Sequence, residues 1–182
     1  MTFEKTVTLK DGRNCLLRNG VTSDGKAVLD VFNRTHEETD YLLTYSDENC
    51  FTASQEADFL QRKTDSTNTV EIIAIVDGVV AGTAGIDALG MRDKIKHRAV
   101  FGIAITKEFW GLGIGKSLME ACIECAREAG YLQLELEVVA ENERAVEMYR
   151  RAGFIEYGRN PKAFRLRTGE YQELIDAVKA NL

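Results

Sequence analysis

The sequence contains little of what marks a membrane, fibrous or linker-rich protein. Its 182 residues include a single proline, and no stretch reaches the roughly 18 apolar residues that a membrane-spanning helix needs. The opening segment MTFEKTVTLK has no apolar run, so we expect no signal peptide, no membrane partner and a cytoplasmic location. There is no internal repeat, and 45% of the residues are hydrophobic. We therefore expect one globular domain that spans residues 1–182.

Basic residues are fewer than acidic ones. Lys and Arg number 23 against 29 Asp and Glu, which gives a formal net charge of −6. A short basic segment from Arg92 to Arg98 is a local exception. Phosphate backbones repel an acidic chain of this kind, so we expect no nucleic-acid partner.

The four cysteines give no sign of a redox or metal site. Cys122 and Cys125 have CxxC spacing, but redox pairs of this kind occupy a helix N-terminus, where the thiol pKa is lowered. These two residues fall well inside a predicted helix. A zinc site would need further ligands, and the other cysteines and the two histidines are scattered singly. We therefore expect buried, reduced cysteines and no metal.

Hydrophobic periodicity and turn signals divide the chain into strands and helices. In the middle of the chain, β-branched runs around an Asp77-Gly78 turn predict an antiparallel meander. Further on, Gly130 and Gly153 fit the C-terminal ends of two helices. The strands are expected at 7–9, 15–18, 70–76, 79–86, 98–106, 132–139 and from 154 onward, and the helices at 27–38, from 54, at 113–129 and at 142–152.

A glycine-rich segment, FWGLGIGKS at residues 109–117, lies between the third meander strand and the next helix. A Walker A loop would require glycine where Trp110 stands. The dinucleotide pattern GxGxxG would require glycine at Lys116 or at Leu118. Both motifs also belong after the first strand of a βαβ unit rather than after a meander. The segment therefore fits neither nucleotide fingerprint.

The same segment still predicts a site for phosphate groups. Its three alternating glycines leave the backbone N–H groups of about Gly111 to Ser117 uncovered, and the N-terminus of the helix adds about half a positive charge. Lys116 can add a full charge and Ser117 a hydroxyl. We expect this loop to bind a pyrophosphate.

A second motif follows the strand at 132–139. Asn142 suits a helix N-cap, and Ala145, Val146 and Tyr149 follow on the same helical stripe. The small Ala145 allows a ligand to approach, and Tyr149 can direct its hydroxyl into a cleft. Each residue also has a purely structural interpretation, with Tyr149 as a core aromatic and Asn142 as a plain helix cap.

Together, the two motifs resemble those of the GNAT family of acetyl-CoA-dependent N-acetyltransferases. The family loop reads Arg/Gln-x-x-Gly-x-Gly/Ala, and WGLGIG at 110–115 matches its glycines, with Trp110 in place of the Arg or Gln. The family pattern N-x-x-A-x-x-x-Y-x-x-x-G-F matches from Asn142 to Phe154. The resemblance covers residues 5–168 and leaves the tail at 168–182 unmatched. It implies a mixed α/β (α+β) fold, the GNAT acyltransferase fold, with a central mixed, mostly antiparallel sheet flanked by helices.

The resemblance also implies an activity, which is direct transfer of an acetyl group from the co-substrate acetyl-CoA to a primary amine. The acceptor would be a small molecule or a peptide, and the enzyme a monomer or homodimer. Two residues are expected to be catalytic, with Tyr149 donating to the departing thiolate and Asn142 orienting the cofactor or a water. The residues expected to bind the cofactor are Ile103, Ala104, Ile105, Gly111, Leu112, Gly113, Ile114, Gly115, Lys116, Ser117, Asn142, Ala145 and Tyr149.

The general base and the acceptor site are not fixed by the motifs. Many relatives carry a Glu on the strand at 98–106, which here contains no carboxylate. Candidate proton acceptors, acting through water, are Glu38, Asp87, His97 and Glu137. The acceptor site is expected at the N-terminal helices and at residues 39–52, including Asp40, Tyr41, Asp47 and Glu48.

Two other classes of function remain open. The substitution at Trp110 and the missing strand carboxylate are compatible with a non-catalytic acyl-CoA-binding sensor on the same fold. A nucleotide-binding protein is the third hypothesis, and binding of ATP without binding of CoA would support it.

Overall fold

The centre of the fold is one open sheet of eight strands with four α-helices around it, in a computed structural model that describes residues 1–182. The strands are β1 (Glu4–Thr8), β2 (Asn14–Asn19), β3 (Val70–Val76), β4 (Val79–Ala88), β5 (Arg98–Ile105), β6 (Gln133–Val139), β7 (Ile155–Arg165) and β8 (Tyr171–Ala180). The helices are α1 (Gly25–Glu38), α2 (Ala53–Asp65), α3 (Ile114–Glu128) and α4 (Glu143–Arg151). Short 3-10 turns lie at Thr22–Asp24, Ser46–Glu48 and Lys107–Phe109.

The strand order across the sheet is β1-β2-β3-β4-β5-β6-β8-β7. Every neighbouring pair is antiparallel except β5 and β6, which run parallel because α3 crosses between them. The expectation of a mixed, mostly antiparallel sheet flanked by helices is therefore confirmed. The predicted turn at Asp77-Gly78 is also present, and both residues have the positive φ angles, 51° and 80°, of a type I′ hairpin.

The element boundaries differ from the sequence predictions by one to a few residues at several ends. The helix α1 begins at Gly25 instead of residue 27, and β1 covers Glu4–Thr8 instead of 7–9. The larger difference concerns the unmatched tail. Residues 171–180 form β8, which lies between β6 and β7 and pairs with both.

The two faces of the sheet are covered by different helices. On one face, α3 and α4 enclose the main core, which includes Phe101 of β5, Leu134 of β6 and Tyr149 of α4. We call this the α3 face. On the other, Val28 of α1 and Leu60 of α2 pack against Ile73 of β3. We call this the α1–α2 face. None of the helices is both long enough and apolar enough to cross a lipid bilayer.

Candidate active site

A gap opens in the middle of the sheet between β5 and β6. The two strands pair over only three residues, from Arg98–Gln133 to Val100–Glu135. Beyond Val100 they diverge, while the other edge of β5 stays paired with β4 as far as Ile105. The backbone of residues 101–105 therefore has no strand partner on the side that faces β6. The predicted cofactor residues Ile103, Ala104 and Ile105 lie along this open edge.

The closed end of the gap is held by an ion pair. The Arg98 guanidinium donates from Nε and Nη2 to the two carboxylate oxygens of Glu135, at 2.5 and 2.6 Å. The Glu135 side chain is only 9% exposed, and these hydrogen bonds hold its pKa below the usual range. Bidentate geometry of this kind fixes both orientation and distance. The ion pair links the first β5 residue that pairs with β6 to the last β6 residue that pairs with β5.

The glycine loop lies at the open end of the gap. Every backbone N–H from Gly111 to Lys116 lacks an acceptor within the chain, and the next amide, at Ser117, bonds to the carbonyl of Gly113. Gly111 and Gly113 have φ angles of +82° and +100°, which only glycine adopts readily, and a side chain on either would meet no other atom within 4 Å. The loop therefore presents a run of unpaired donors to open space at the N-terminus of α3.

The third glycine and the residues after it are placed differently. A side chain on Gly115 would approach the Met148 sulfur to 3.2 Å, so this glycine allows α3 to lie close to α4. Ile114 is buried in the core. Lys116 is exposed, with its Nζ 3.6 Å from the Glu120 carboxylate. The carbonyl of Leu112 accepts from the Lys10 amide, which anchors the loop to the β1–β2 turn.

Trp110 connects the loop to the strand before it. Its indole Nε1 donates to the carbonyl oxygen of Ile105 at 2.6 Å. The Arg144 guanidinium lies 5.0 Å from the centre of the same ring, and the Lys107 ammonium lies 5.8 Å from it. The side chain that replaces the Arg or Gln of the family pattern thus ties together β5, the loop and the start of α4.

The residues of the second motif line the first turns of α4. Asn142 is the N-cap, and its Oδ1 accepts from the Ala145 amide at 3.3 Å. Tyr149 is buried below β5, with its ring edge-on to Phe101 and Phe154 at centroid distances of 6.1 and 5.8 Å. Its hydroxyl has no hydrogen-bond partner in the chain, and burial alone raises the pKa of the phenol. Tyr149 is thus a core aromatic that also keeps a free, neutral donor.

A clasp covers part of the α1–α2 face at the open end of the gap. The Arg167 guanidinium, next to the β7–β8 turn, makes two hydrogen bonds to Asp47, at 2.7 and 2.9 Å, and lies 4.1 Å from the Tyr45 ring centre. The Tyr45 amide donates to Glu48. Two of the acids expected at the acceptor site, Asp47 and Glu48, are therefore engaged in structural contacts. Asp40 and Tyr41 are exposed nearby in the chain.

Three of the four candidate bases are either engaged in other contacts or distant from the open end of the gap. Glu38 accepts from the Lys107 amide at 2.6 Å and from Arg34, so it caps the turn after β5. Asp87 pairs with Lys63 at 2.7 Å. His97 precedes β5, at the closed end of the gap. Glu137 of β6 is exposed and lies opposite Asp176 of β8.

Sequence reasoning missed one buried polar residue, which lies on the α1–α2 face of β8. Gln172 of β8 is 8% exposed, and its Oε1 is the only buried side-chain oxygen or nitrogen without a partner. By strand alternation it shares a face with Asp176. No pattern in the sequence marks it, because its burial depends on the long-range placement of β8.

Three of the four cysteines are buried as expected, and the expectation is wrong for Cys50, which is exposed. Cys122 and Cys125 are buried in α3, and Cys15 is buried in β2. Burial raises the pKa of the Cys125 thiol to about 12 and that of Cys122 well above its usual value. Such thiols are inert at neutral pH. The structure has no group of three or more His, Cys, Asp or Glu side chains that could hold a metal ion.

Comparison with known proteins identifies relatives of this chain in sequence and in fold. The family model described as "Acetyltransferase (GNAT) family" matches residues 28–154. An L-amino acid N-acetyltransferase of Escherichia coli (strain K12) is 32% identical over 112 residues, which are 61% of this chain and 68% of that protein. The crystal structure of a GNAT-family acetyltransferase from Streptococcus pneumoniae has a TM-score of 0.87 at 28% identity, over 91% of this chain and 99% of that one. The structure of yncA from Salmonella typhimurium with its cofactor acetyl-CoA has a TM-score of 0.81 at 16% identity, over 92% and 94% of the two chains.

Proposed function

Because this chain belongs to the GNAT acetyltransferase family, and so is an acyltransferase, we propose that it transfers the acetyl group of acetyl-CoA to a primary amine. The first acceptors to test are the α-amino groups of L-amino acids, on which the E. coli relative acts by its name. The observation that carries the proposal is the run of unpaired backbone N–H groups from Gly111 to Lys116, at the open end of a gap in the sheet.

The loop fits a pyrophosphate for electrostatic reasons. Unpaired amides at a helix N-terminus are a ready anion site, because donors and the helix dipole point at the same place. The positive φ angles of Gly111 and Gly113 turn the amides outward without a side chain in the way. Lys116 is exposed beside them and adds a charge. We assign the pyrophosphate of acetyl-CoA to this loop.

The open edge of β5 fits an extended, amide-containing chain. Beyond Val100, β5 has no strand partner on the gap side, and only the Ile105 carbonyl there is already used, by the Trp110 indole. The free backbone groups can hydrogen-bond to the pantetheine amides as a neighbouring strand would. Asn142 and Ala145 lie at the start of α4. The Asn142 Oδ1 is used in the cap, which leaves its amide Nδ2 to orient the cofactor or a water.

Tyr149 is assigned to the departing sulfur. The thioester supplies an acetyl carbon that an amine can attack, with a thiolate as the leaving group. An ordinary phenol has a pKa near 10 and a thiol one near 8.5, so full proton transfer is uphill by about 2 kcal/mol. Burial raises the Tyr149 pKa further and increases this cost. Tyr149 therefore donates a hydrogen bond that strengthens as charge develops on sulfur.

The proposal is tested by mixing the protein with acetyl-CoA and a panel of L-amino acids, a polyamine and a short peptide with a free N-terminus. Release of free thiol that depends on the amine supports it. Calorimetry with acetyl-CoA alone gives the binding step. Binding without thiol release for any amine would instead support the acyl-CoA sensor, and failure to bind acetyl-CoA would remove both interpretations.

A further inference from the structure

Three residues on neighbouring strands form a row across the α1–α2 face, and the row ends at the gap. Glu71 of β3 lies directly opposite Gly85 of β4, and Gly85 lies opposite Gly102 of β5. Directly opposed residues on antiparallel strands point to the same face, with Cα atoms about 4.5–5.5 Å apart. Gly102 lies two residues beyond the last position at which β5 pairs with β6.

The two glycines leave this row without side chains between Glu71 and the gap. A side chain on Gly102 would meet no atom within 4 Å, although the residue is in the interior of the sheet. A side chain on Gly85 would collide with Oε2 of Glu71. The Glu71 carboxylate therefore extends over Gly85 toward Gly102, where the space above the strand is open.

The charges around Glu71 hold its carboxylate in place. The Lys63 ammonium of α2 lies 3.2 Å from Glu71 and 2.7 Å from Asp87 of β4, and Glu56 of α2 faces the same cluster. Burial raises the pKa of Glu71, although the charge of Lys63 lowers it. The Glu71 side chain keeps 14% of its surface exposed.

The position of Tyr149 sets the direction from which an acceptor must approach. Tyr149 contacts Phe101 on the α3 face, which α3 and α4 close. Gly102 is the next residue along β5, and strand alternation directs it to the α1–α2 face. A carbonyl carbon held in the gap beside Tyr149 is therefore open to attack from the side of Gly102 and Glu71.

We infer that Glu71 is the general base of the reaction, accepting a proton from the acceptor amine over Gly102, directly or through one water. This inference rests on the proposed acetyl transfer. The acceptor ammonium loses one proton to the Glu71 carboxylate, and its lone pair forms the C–N bond. The C–S bond then breaks. The nitrogen then loses its second proton, which protonates the thiolate to give the free thiol. Glu71 returns its own proton to solvent.

The test compares Glu71→Gln with the wild-type protein at about pH 6.5 and pH 9.5, with the best acceptor of the amine panel. We expect kcat/KM at the lower pH to fall about 100-fold or more, as for loss of a general base. The loss should shrink at the higher pH, because a larger fraction of the amine is already unprotonated. Affinity for acetyl-CoA, measured by calorimetry, should change less than twofold. Glu56→Gln is the matched control, because Glu56 is a buried carboxylate that faces the same Lys63.

Each outcome decides the matter. Full activity of folded Glu71→Gln at pH 6.5, or an equal loss at both pH values, overturns the role of base while acetyl transfer stands. Loss in Glu56→Gln equal to that in Glu71→Gln also overturns it. If Glu71→Gln does not fold, Glu71→Asp replaces it. Because Asp is still a carboxylate base, the inference then requires a lower rate that still falls as the pH is lowered. A wild-type protein that acetylates no amine overturns the proposed function and this inference together.

Discussion

The indole N–H of Trp110 donates to the carbonyl oxygen of Ile105 at 2.6 Å, and so joins the end of β5 to the loop that follows it. Ile105 is the last residue paired with β4, at Gly82. The hydrogen bond therefore fixes the glycine loop relative to the edge of the sheet. Trp110 therefore anchors the start of the loop through a neutral hydrogen-bond donor.

We expect Trp110→Phe to weaken acetyl-CoA binding about fivefold, because it keeps an aromatic ring but removes a hydrogen bond worth about 1 kcal/mol. Calorimetry with acetyl-CoA measures the change. Trp110→Gln is the control, since Gln retains an N–H donor and is a residue of the family pattern. Equal affinities of Trp110→Phe and the wild-type protein would contradict this role.

Gly113→Ala should lower both stability and cofactor affinity. Its φ of +100° costs a non-glycine residue about 1–2 kcal/mol, and relief of that strain rotates the unpaired amides. We expect acetyl-CoA affinity to fall at least tenfold by calorimetry. Gly169→Ala is the control, with a φ of +94° and equally open space but a position in the β7–β8 turn. It should lose similar stability in urea and keep its affinity.

Tyr149→Phe should lower kcat by about ten- to a thousandfold and leave acetyl-CoA affinity nearly unchanged. The change removes a donor that matters only when charge develops on sulfur. Because burial raises the Tyr149 pKa, we also expect no loss of activity from its ionisation up to about pH 10. The control is Tyr131→Phe, a buried tyrosine whose hydroxyl donates to the Asn68 carbonyl. Undiminished turnover of Tyr149→Phe would remove this residue from the mechanism.

Glu135→Gln should reduce the free energy of unfolding by about 2 kcal/mol at neutral pH, as expected for a charged hydrogen bond. The folded pKa of Glu135 is lowered by Arg98, so its contribution is present above the ordinary Glu pKa. It disappears as the pH falls through the lowered value. Urea unfolding should therefore show the two proteins converging on acidification.

The matched control for this ion pair is Glu147→Gln. Glu147 also accepts from arginines, Arg150 and Arg151, but its side chain is 44% exposed. Exposed pairs contribute little, so we expect a change below about 0.5 kcal/mol. A Glu135→Gln protein as stable as this control at neutral pH would show that the strands do not depend on the pair.

The features that sequence predicts well are those carried by neighbouring residues. Alternating glycines before a helical stripe predict uncovered amides, and the structure shows unpaired N–H groups over almost that whole range. The Asp77-Gly78 turn and the Asn142 cap are equally local, and both are present. The roles of the expected site residues, the cytoplasmic location and the oligomeric state stay predictions.

What the sequence did not predict depends on register between distant strands. Arg98 and Glu135 meet because β5 and β6 run parallel across α3, and no local pattern states where two such strands begin to pair. Glu71 and Gly102 come into one row only through two successive strand registers. The tail at 168–182 carries no family motif, yet its strand enters the interior of the sheet by long-range pairing.

The early separation of β5 and β6 gives this sheet two additional edges inside its outline. An exposed edge strand is a template on which other chains can add, and proteins usually guard it with charges or by covering it. In the proposed function, the pantetheine chain of acetyl-CoA pairs with the β5 edge and so covers it. We therefore expect the melting temperature of the protein to rise with the concentration of acetyl-CoA.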